Sequence, residues 1–293
     1  MAKLTERKRA TSMPELAAVN GAIFDGKTIA ASIEAYKPQL EDVIITPYAK
    51  SGTTWLQQIF HTLRTRGDME FEDISAVVPW IEMAGTLDMD INADQRATPR
   101  GFKSHLSFDK MPQGAKYINA IRDPVDAAYS AFKFVEGWFV EPGSISADDF
   151  VLASSQDANY FKHFVSWWPQ RHADNVLYLV YEHIQQDLEA TITQVARFAD
   201  IPLDDELLEL TLKHASLAFM QAHKDRFDDA MLRSLSEEEV LPAGSDSAKV
   251  RKGQVGEAKL SPHVIKRLDD LWLEYVQPVT GFDNYKTLIE SLR

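Results

Sequence analysis

The stretch that decides the reading runs Val43-Ile44-Ile45-Thr46-Pro47-Tyr48-Ala49-Lys50-Ser51-Gly52-Thr53-Thr54-Trp55. Val43, Ile44 and Ile45 form an apolar run of the kind buried on both faces of a sheet, and predict a strand reaching about Tyr48. After the turn Lys50-Ser51-Gly52, apolar residues recur at Leu56, Ile59, Phe60 and Leu63. That spacing marks one face of a helix. Gly52 allows a tight turn, and the backbone N–H groups of residues 51–54 would converge at the helix N-terminus. Such a terminus binds a phosphate or sulfate oxyanion, helped by the helix dipole. Thr53 and Thr54 add hydroxyl donors, Lys50 adds a point charge, and Trp55 can stack on a base. Together these residues have no core-packing purpose.

A second unit repeats the pattern. Tyr117–Ile121 reads as a strand that leads through Arg122-Asp123-Pro124 into a helix with Val125, Ala128, Tyr129 and Phe132 on one face. Proline is tolerated in a first helical turn, and Asp123 suits the N-cap. A third strand, Val176–Tyr181, precedes helical stretches around Leu188–Phe198 and Leu203–Leu212. Val264, Ile265, Leu268, Leu271, Trp272 and Tyr275 mark a late amphipathic helix. Alternating strands and helices predict an α/β fold, a single domain over residues 1–293 with a central parallel sheet flanked by helices. Between Asp225 and Asp246 stand seven acidic and two basic residues, read as a mobile, partly solvated segment inside the domain.

Composition narrows the function. The chain has 293 residues, 45% of them hydrophobic and 26% charged, enough for a sizeable core and inconsistent with global disorder. It contains no cysteine, which excludes a disulfide framework, a thiol nucleophile and thiolate-held zinc or iron–sulfur clusters. A formal net charge of −13 argues against a nucleic-acid partner, so any bound anion must be held by a local cluster of cations. No apolar h-region follows the basic N-terminal residues, and no run of 18 apolar residues occurs, so the expectation is a soluble, cytoplasmic protein without a membrane span.

Two motifs are decoys. Gly21–Thr28 matches the Walker A pattern, but that pattern needs a buried strand before its first glycine, and Thr11–Asn20 offers none. Asp88–Asp94 resembles the start of an EF-hand loop, yet the sixth and twelfth positions are Ala93 and Pro99 instead of glycine and glutamate. No metal site is expected.

Lys50–Trp55 resembles the phosphosulfate-binding loop of the cytosolic sulfotransferases, YPKSGTTW, with Ala49 replacing the family's proline. Four further stretches match in family order. Lys116–Ser130 resembles the segment that grips the 3′-phosphate of the donor, 3′-phosphoadenosine 5′-phosphosulfate, and supplies Arg122 and Ser130. Val176–Glu182 resembles the strand ending in an adenine-contacting tyrosine, here Tyr181. Arg251, Lys252 and Gly253 resemble the flap that closes on the 3′-phosphate. Arg100–Leu106 is similar to the segment whose histidine is the general base, here His105, and Lys103 stands two positions earlier, facing the same way if both lie on a strand. At Leu212–Met220, Ser216 and Met220 match the family's adenine contact, while Ala215 and Leu217 replace a threonine and a phenylalanine.

The resemblance implies a sulfotransferase in which His105 is the base, Lys50 neutralises the departing oxygen, and Lys103 with the amides of Ser51–Thr54 holds the sulfonate and 5′-phosphate. Phe24, Trp80, Met83, Phe134, Trp138 and Phe139 lie in segments that line the family's acceptor pocket, to which residues 1–40 would contribute. They imply a small, largely apolar hydroxyl acceptor: a phenol, sterol, glycolipid or secondary metabolite. Residues 225–256 would form a mobile flap, with Ala258 where the family has a tryptophan. The family's dimer segment retains Lys259 and Val264 but shows His263 and Leu268. Two other classes share the architecture. A nucleoside or nucleotide kinase would need the Gly21–Thr28 motif after a strand and a carboxylate for magnesium, and a non-catalytic nucleotide-binding protein would lack the base.

Overall fold

In the computed structural model, residues 9–233, 246–247, 249–251, 253 and 255–292 are described. Four parallel strands make the sheet: β1 (Val43–Ile45), β2 (Gly101–Lys103), β3 (Lys116–Ile121) and β4 (Val176–Val180), in the order β2-β1-β3-β4. Ile44 stands opposite Phe102 on one side and Tyr117 on the other. Alternation sends Val43 and Ile45 to one face of the sheet and Ile44 to the other, and all three are fully buried. Burying each such aliphatic side chain is worth about 1.5–3 kcal/mol.

Val43 and Ile45, with Ile118, Ala120 and Leu179, pack against Leu56, Ile59, Phe60 and Leu63 of the helix Thr53–Thr65. On the opposite face Ile44, Phe102 and Tyr117 meet Trp167, at the end of the helix Asn159–Trp167. Phe60 reaches β2 because residue 101 is glycine: a Cβ there would fall 2.2 Å from the Phe60 ring. The chain enters through two helices, α1 (Met13–Ile23) and α2 (Gly26–Ala35). Behind them Arg100 pairs with Asp42 at 2.7 Å, and Tyr36 donates its hydroxyl to the same carboxylate at 2.7 Å.

The expected architecture is present, with its elements trimmed by local chemistry. β1 stops at Ile45: Thr46 still donates its N–H to Ile118, but Pro47 has none to give. β4 stops at Val180, and Tyr181 opens the helix Tyr181–Gln186. β2 ends at Lys103, so His105 lies beyond the strand rather than on it. The helix expected at Leu203–Leu212 is Asp205–His214, capped by the Asp204 carboxylate on the Leu207 amide. The late helix is regular over Pro262–Leu271 and widens into a π turn at Trp272–Val276. Val264 and Leu268 face its core side, buried, whereas His263 is exposed.

Gly21–Thr28 joins the end of α1 to the start of α2, where Asp25 caps the Thr28 amide at 2.8 Å, so a helix and not a strand leads into it. In the acidic loop at 88–94, Asn92 accepts the Lys37 amide at 2.8 Å and ties the loop to the chain after α2. The segment expected to be solvated begins otherwise: Phe227, Asp229 and Leu232 are buried. Residues 234–245, 248, 252 and 254, which carry the rest of that expectation, lie outside the described residues. Among the described residues, no helix is long and apolar enough to cross a membrane.

Candidate active site

All four strands deliver chemistry at their C-terminal ends. Beyond β1 the chain turns through Lys50 and Gly52, both with positive φ, 69° and 99°. Gly52 is required there twice over: that φ disfavours a side chain, and a Cβ would stand 3.1 Å from the Tyr181 ring. The first helical bond of Thr53–Thr65 runs from the Leu56 amide to the Gly52 carbonyl, leaving the amides of Thr53, Thr54 and Trp55 ahead of it. Ser51 plays another part than expected. Its amide closes the turn onto Tyr48 at 3.1 Å and its side chain is fully buried, off the cavity wall. The hydroxyls of Ser51 and Thr53 are buried without hydrogen-bond partners.

The turn opens on a cavity of about 520 Å³ walled by Lys50, Thr53, Lys103, His105, Arg122 and Ser130 on its polar side. Lys50 Nζ stands 4.4 Å from the Phe134 ring centroid, and Lys103 Nζ 3.8 Å from that of Trp80. Enclosure, then the nearby Lys249, lowers the Lys50 ammonium to about 7, with Arg122 and Lys103 adding to the effect and Asp229 opposing it. Lys103 falls to about 8, again through burial first and Lys249 second. Cations enclosed and clustered in this way are poised for an anion.

His105 is oriented from both sides. Its Nδ1 lies 2.7 Å from the Pro47 carbonyl, which can only accept, so Nδ1 carries the hydrogen and Nε2 the lone pair. Its amide donates to Glu82 Oε1 at 2.6 Å, and its ring meets Trp80 edge-on at 5.4 Å. Burial, with the charge of Lys103, holds the imidazole well below its usual range, so it stays neutral. Burial also raises the Glu82 carboxyl.

Arg122 follows β3 and donates Nη1 to the Lys50 carbonyl at 3.0 Å, which couples the two loops, while its Nε lacks a partner. The guanidinium lies 4.4 Å from the Tyr181 ring centroid. Asp123 caps the helix Pro124–Trp138 as expected, accepting the amides of Val125 and Asp126. After β4, Tyr181 meets Trp55 at 5.8 Å, and the Trp55 indole donates to the Ala215 carbonyl at 2.8 Å. Met220 is on the wall. Ser216 is not: its hydroxyl caps the helix Leu217–Ala222 through the Phe219 amide. Arg251 and Gly253 reach the wall, Arg251 paired with Glu257. Lys252 lies outside the described residues.

The other half of the cavity is aromatic: Phe24 from the end of α1, Trp80, and Phe134, Trp138 and Phe139 in a contiguous group, the last two stacked at 4.1 Å. Met83 does not join them; it is fully buried in the core. Glu82, Asp229 and Lys249 were missed by sequence reasoning. Nothing marked the two acids, but Lys249 stands two positions before Arg251, and its charge could have been counted with that cluster.

A family model described as "Sulfotransferase domain" matches residues 40–278. Curated relatives include Sulfotransferase 2A1 of Homo sapiens, 30% identical over 69% of this chain and 74% of that protein. Sulfotransferase 1B1 of Canis lupus familiaris is 28% identical over 78% and 80%. The chain belongs to the sulfotransferase family, and is an enzyme of the transferase class. In fold it is similar to retinol dehydratase, solved with androsterone and the inactive cofactor PAP, with TM-score 0.68, 18% identity and coverage of 93% and 97%. Mouse sulfotransferase SULT7A1, solved with PAP, gives 0.65, 18%, 87% and 91%.

Proposed function

We propose that this enzyme transfers the sulfuryl group of 3′-phosphoadenosine 5′-phosphosulfate to the hydroxyl of a small, largely apolar acceptor, with His105 as general base. The observation that carries the reading is one cavity whose wall holds a neutral imidazole, its Nδ1 bound to the Pro47 carbonyl, together with Lys50 and Lys103, beside an aromatic chamber. The reaction replaces the acceptor O–H by O–SO₃⁻ and releases 3′-phosphoadenosine 5′-phosphate. His105 Nε2 takes the proton, a contribution of roughly 10²–10⁴-fold. Lys50 neutralises charge on the oxygen that leaves sulfur, and Lys103 with the amides of Thr53 and Thr54 holds the sulfonate and 5′-phosphate oxygens. The unpartnered Thr53 hydroxyl and Arg122 Nε suit anionic oxygens. Arg122 and Ser130, with Arg251, Lys252 and Gly253, serve the 3′-phosphate. Trp55 and Tyr181, with Met220 and the turn that Ser216 caps, serve the adenine. As in phosphoryl transfer, the work is positioning and electrostatics.

Phe24, Trp80, Phe134, Trp138 and Phe139 bind the acceptor, with α1 supplying one wall. The family reading also carries a cytoplasmic location. A kinase is disfavoured by the helix-to-helix setting of Gly21–Thr28. The test is a screen of phenols, sterols and lipid alcohols with ³⁵S-labelled donor. Label should enter an apolar hydroxyl compound, and transfer to none of these classes would overturn the acceptor assignment.

A further inference from the structure

The cavity holds one cation more than the transfer scheme uses. Lys249 reaches its wall and forms an ion pair with Asp229, the only carboxylate among the described wall residues. The pair is nearly dry, with side-chain exposures of 11% and 4%. Lys249 Nζ lies 6.0 Å from the Phe134 ring centroid, and Lys50 Nζ approaches the same ring to 4.4 Å. The two ammonium groups thus share one aromatic neighbour, and Lys249 is the strongest charge acting on both Lys50 and Lys103.

Three enclosed ammonium groups repel one another; Asp229 opposes that repulsion at Lys50 and Lys103, and Asp73 and Glu82 add to the opposition at Lys103, yet both lysines stay below their usual range. Asp229 is itself held with φ at 53°, uncommon for a residue with a side chain, and its Oδ2 is buried without a hydrogen-bond partner. A lysine on a flexible four-carbon stem, with three rotatable donors, can change partners without moving the backbone. We propose that Lys249 is a third lysine for the donor's sulfonate, held by Asp229 until the donor arrives and then exchanging that carboxylate for sulfonate oxygens. The proposal rests on the sulfuryl-transfer reading and adds to it a residue that distinguishes the sulfonated nucleotide from its product.

Calorimetric titration of the parent, Lys249→Met, Lys249→Arg and Asp229→Asn with the phosphosulfate and with 3′-phosphoadenosine 5′-phosphate tests it. Lys249→Met should weaken the phosphosulfate at least tenfold and the bisphosphate less than threefold. Lys249→Arg should recover most of the loss, and Asp229→Asn should bind the phosphosulfate as tightly as the parent or tighter. Bisphosphate binding doubles as the folding control, and Lys249→Gln poses the same question if Lys249→Met does not fold. Equal losses for both nucleotides, or none, would overturn the assignment. So would an Asp229→Asn variant that loses phosphosulfate affinity like Lys249→Met, since the pair would then be a structural tie. A parent that binds neither nucleotide would overturn the donor reading, and this proposal with it.

Discussion

His105 can act as a base only while Nε2 is unprotonated, and its surroundings keep it so. Burial and Lys103 hold the imidazole well below its usual 6.5, so the acid limb of kcat/KM should lie below that value, with activity lost only as pH falls through the lowered pKa. His105→Ala should cost at least about 10²-fold in kcat while product-nucleotide affinity stays within threefold. An unchanged kcat with the same acid limb would move the base elsewhere. The lysines shift in the same direction but are needed in the opposite, charged, form. At about 7 and about 8, Lys50 and Lys103 are partly neutral at pH 8 in the free protein, and a bound polyanion favours their charged forms. Nucleotide binding at pH 8 should therefore take up about one proton, read from calorimetry in buffers of different ionisation enthalpy, and identical apparent heats in those buffers would contradict it. The Lys50 turn was legible because lysine, glycine and two threonines between a strand and a helix have no packing use. Glu82 and Asp229 were not, because each meets its partner, His105 and Lys249, about twenty residues further along the chain, a separation no local periodicity reports.

At the scale of elements, the contact of the helix Thr53–Thr65 with β2 places the Lys50 turn beside the strand that carries Lys103. It depends on Gly101, where a methyl group would intrude on the Phe60 ring, and Phe60 is fully buried with nowhere to go. Gly101→Ala should destabilise the protein by about 1–3 kcal/mol in urea unfolding, and the double variant with Phe60→Leu should lose less than the sum of the two singles. Strict additivity would show that the two residues do not press on each other. The helix was readable from its 3.6-residue period. The end of β2 was not: the strand is three residues long, Gly101–Lys103, too short for alternation to show where pairing stops. The setting of Lys103 and His105 comes instead from the Trp80–Lys103 bridge and the Glu82 contact, which bring a separate loop against the strand end.

In the whole molecule, the order β2-β1-β3-β4 makes the chain leave β1 toward one edge and return for β3 on the other side. Ligands of open parallel sheets bind outside the C-terminal strand ends at such a switch point. Here β1 leads to Lys50, β2 to His105, β3 to Arg122 and β4 to Tyr181. Alternating strands and helices announced the sheet, but strand order follows from long-range pairing that local sequence does not encode. Far from the site, the buried pair of Arg100 and Asp42 ties the chain after α2 to the sheet. Arg100→Ala, which strands a buried carboxylate, should cost about 3–5 kcal/mol in denaturant unfolding, and a loss under 1 kcal/mol would show that solvent reaches Asp42. The central claim is a site built for a 3′-phosphorylated, 5′-anionic adenosine donor, and calorimetric titration with 3′-phosphoadenosine 5′-phosphate, with 5′-adenosine monophosphate as the comparison, tests it most directly. The account predicts saturable 1:1 binding of the bisphosphate without added metal, weakened at least about 30-fold when the 3′-phosphate is absent, as expected from charge-assisted bonds to Arg122 and its neighbours; no binding, or equal binding of both nucleotides, would contradict it.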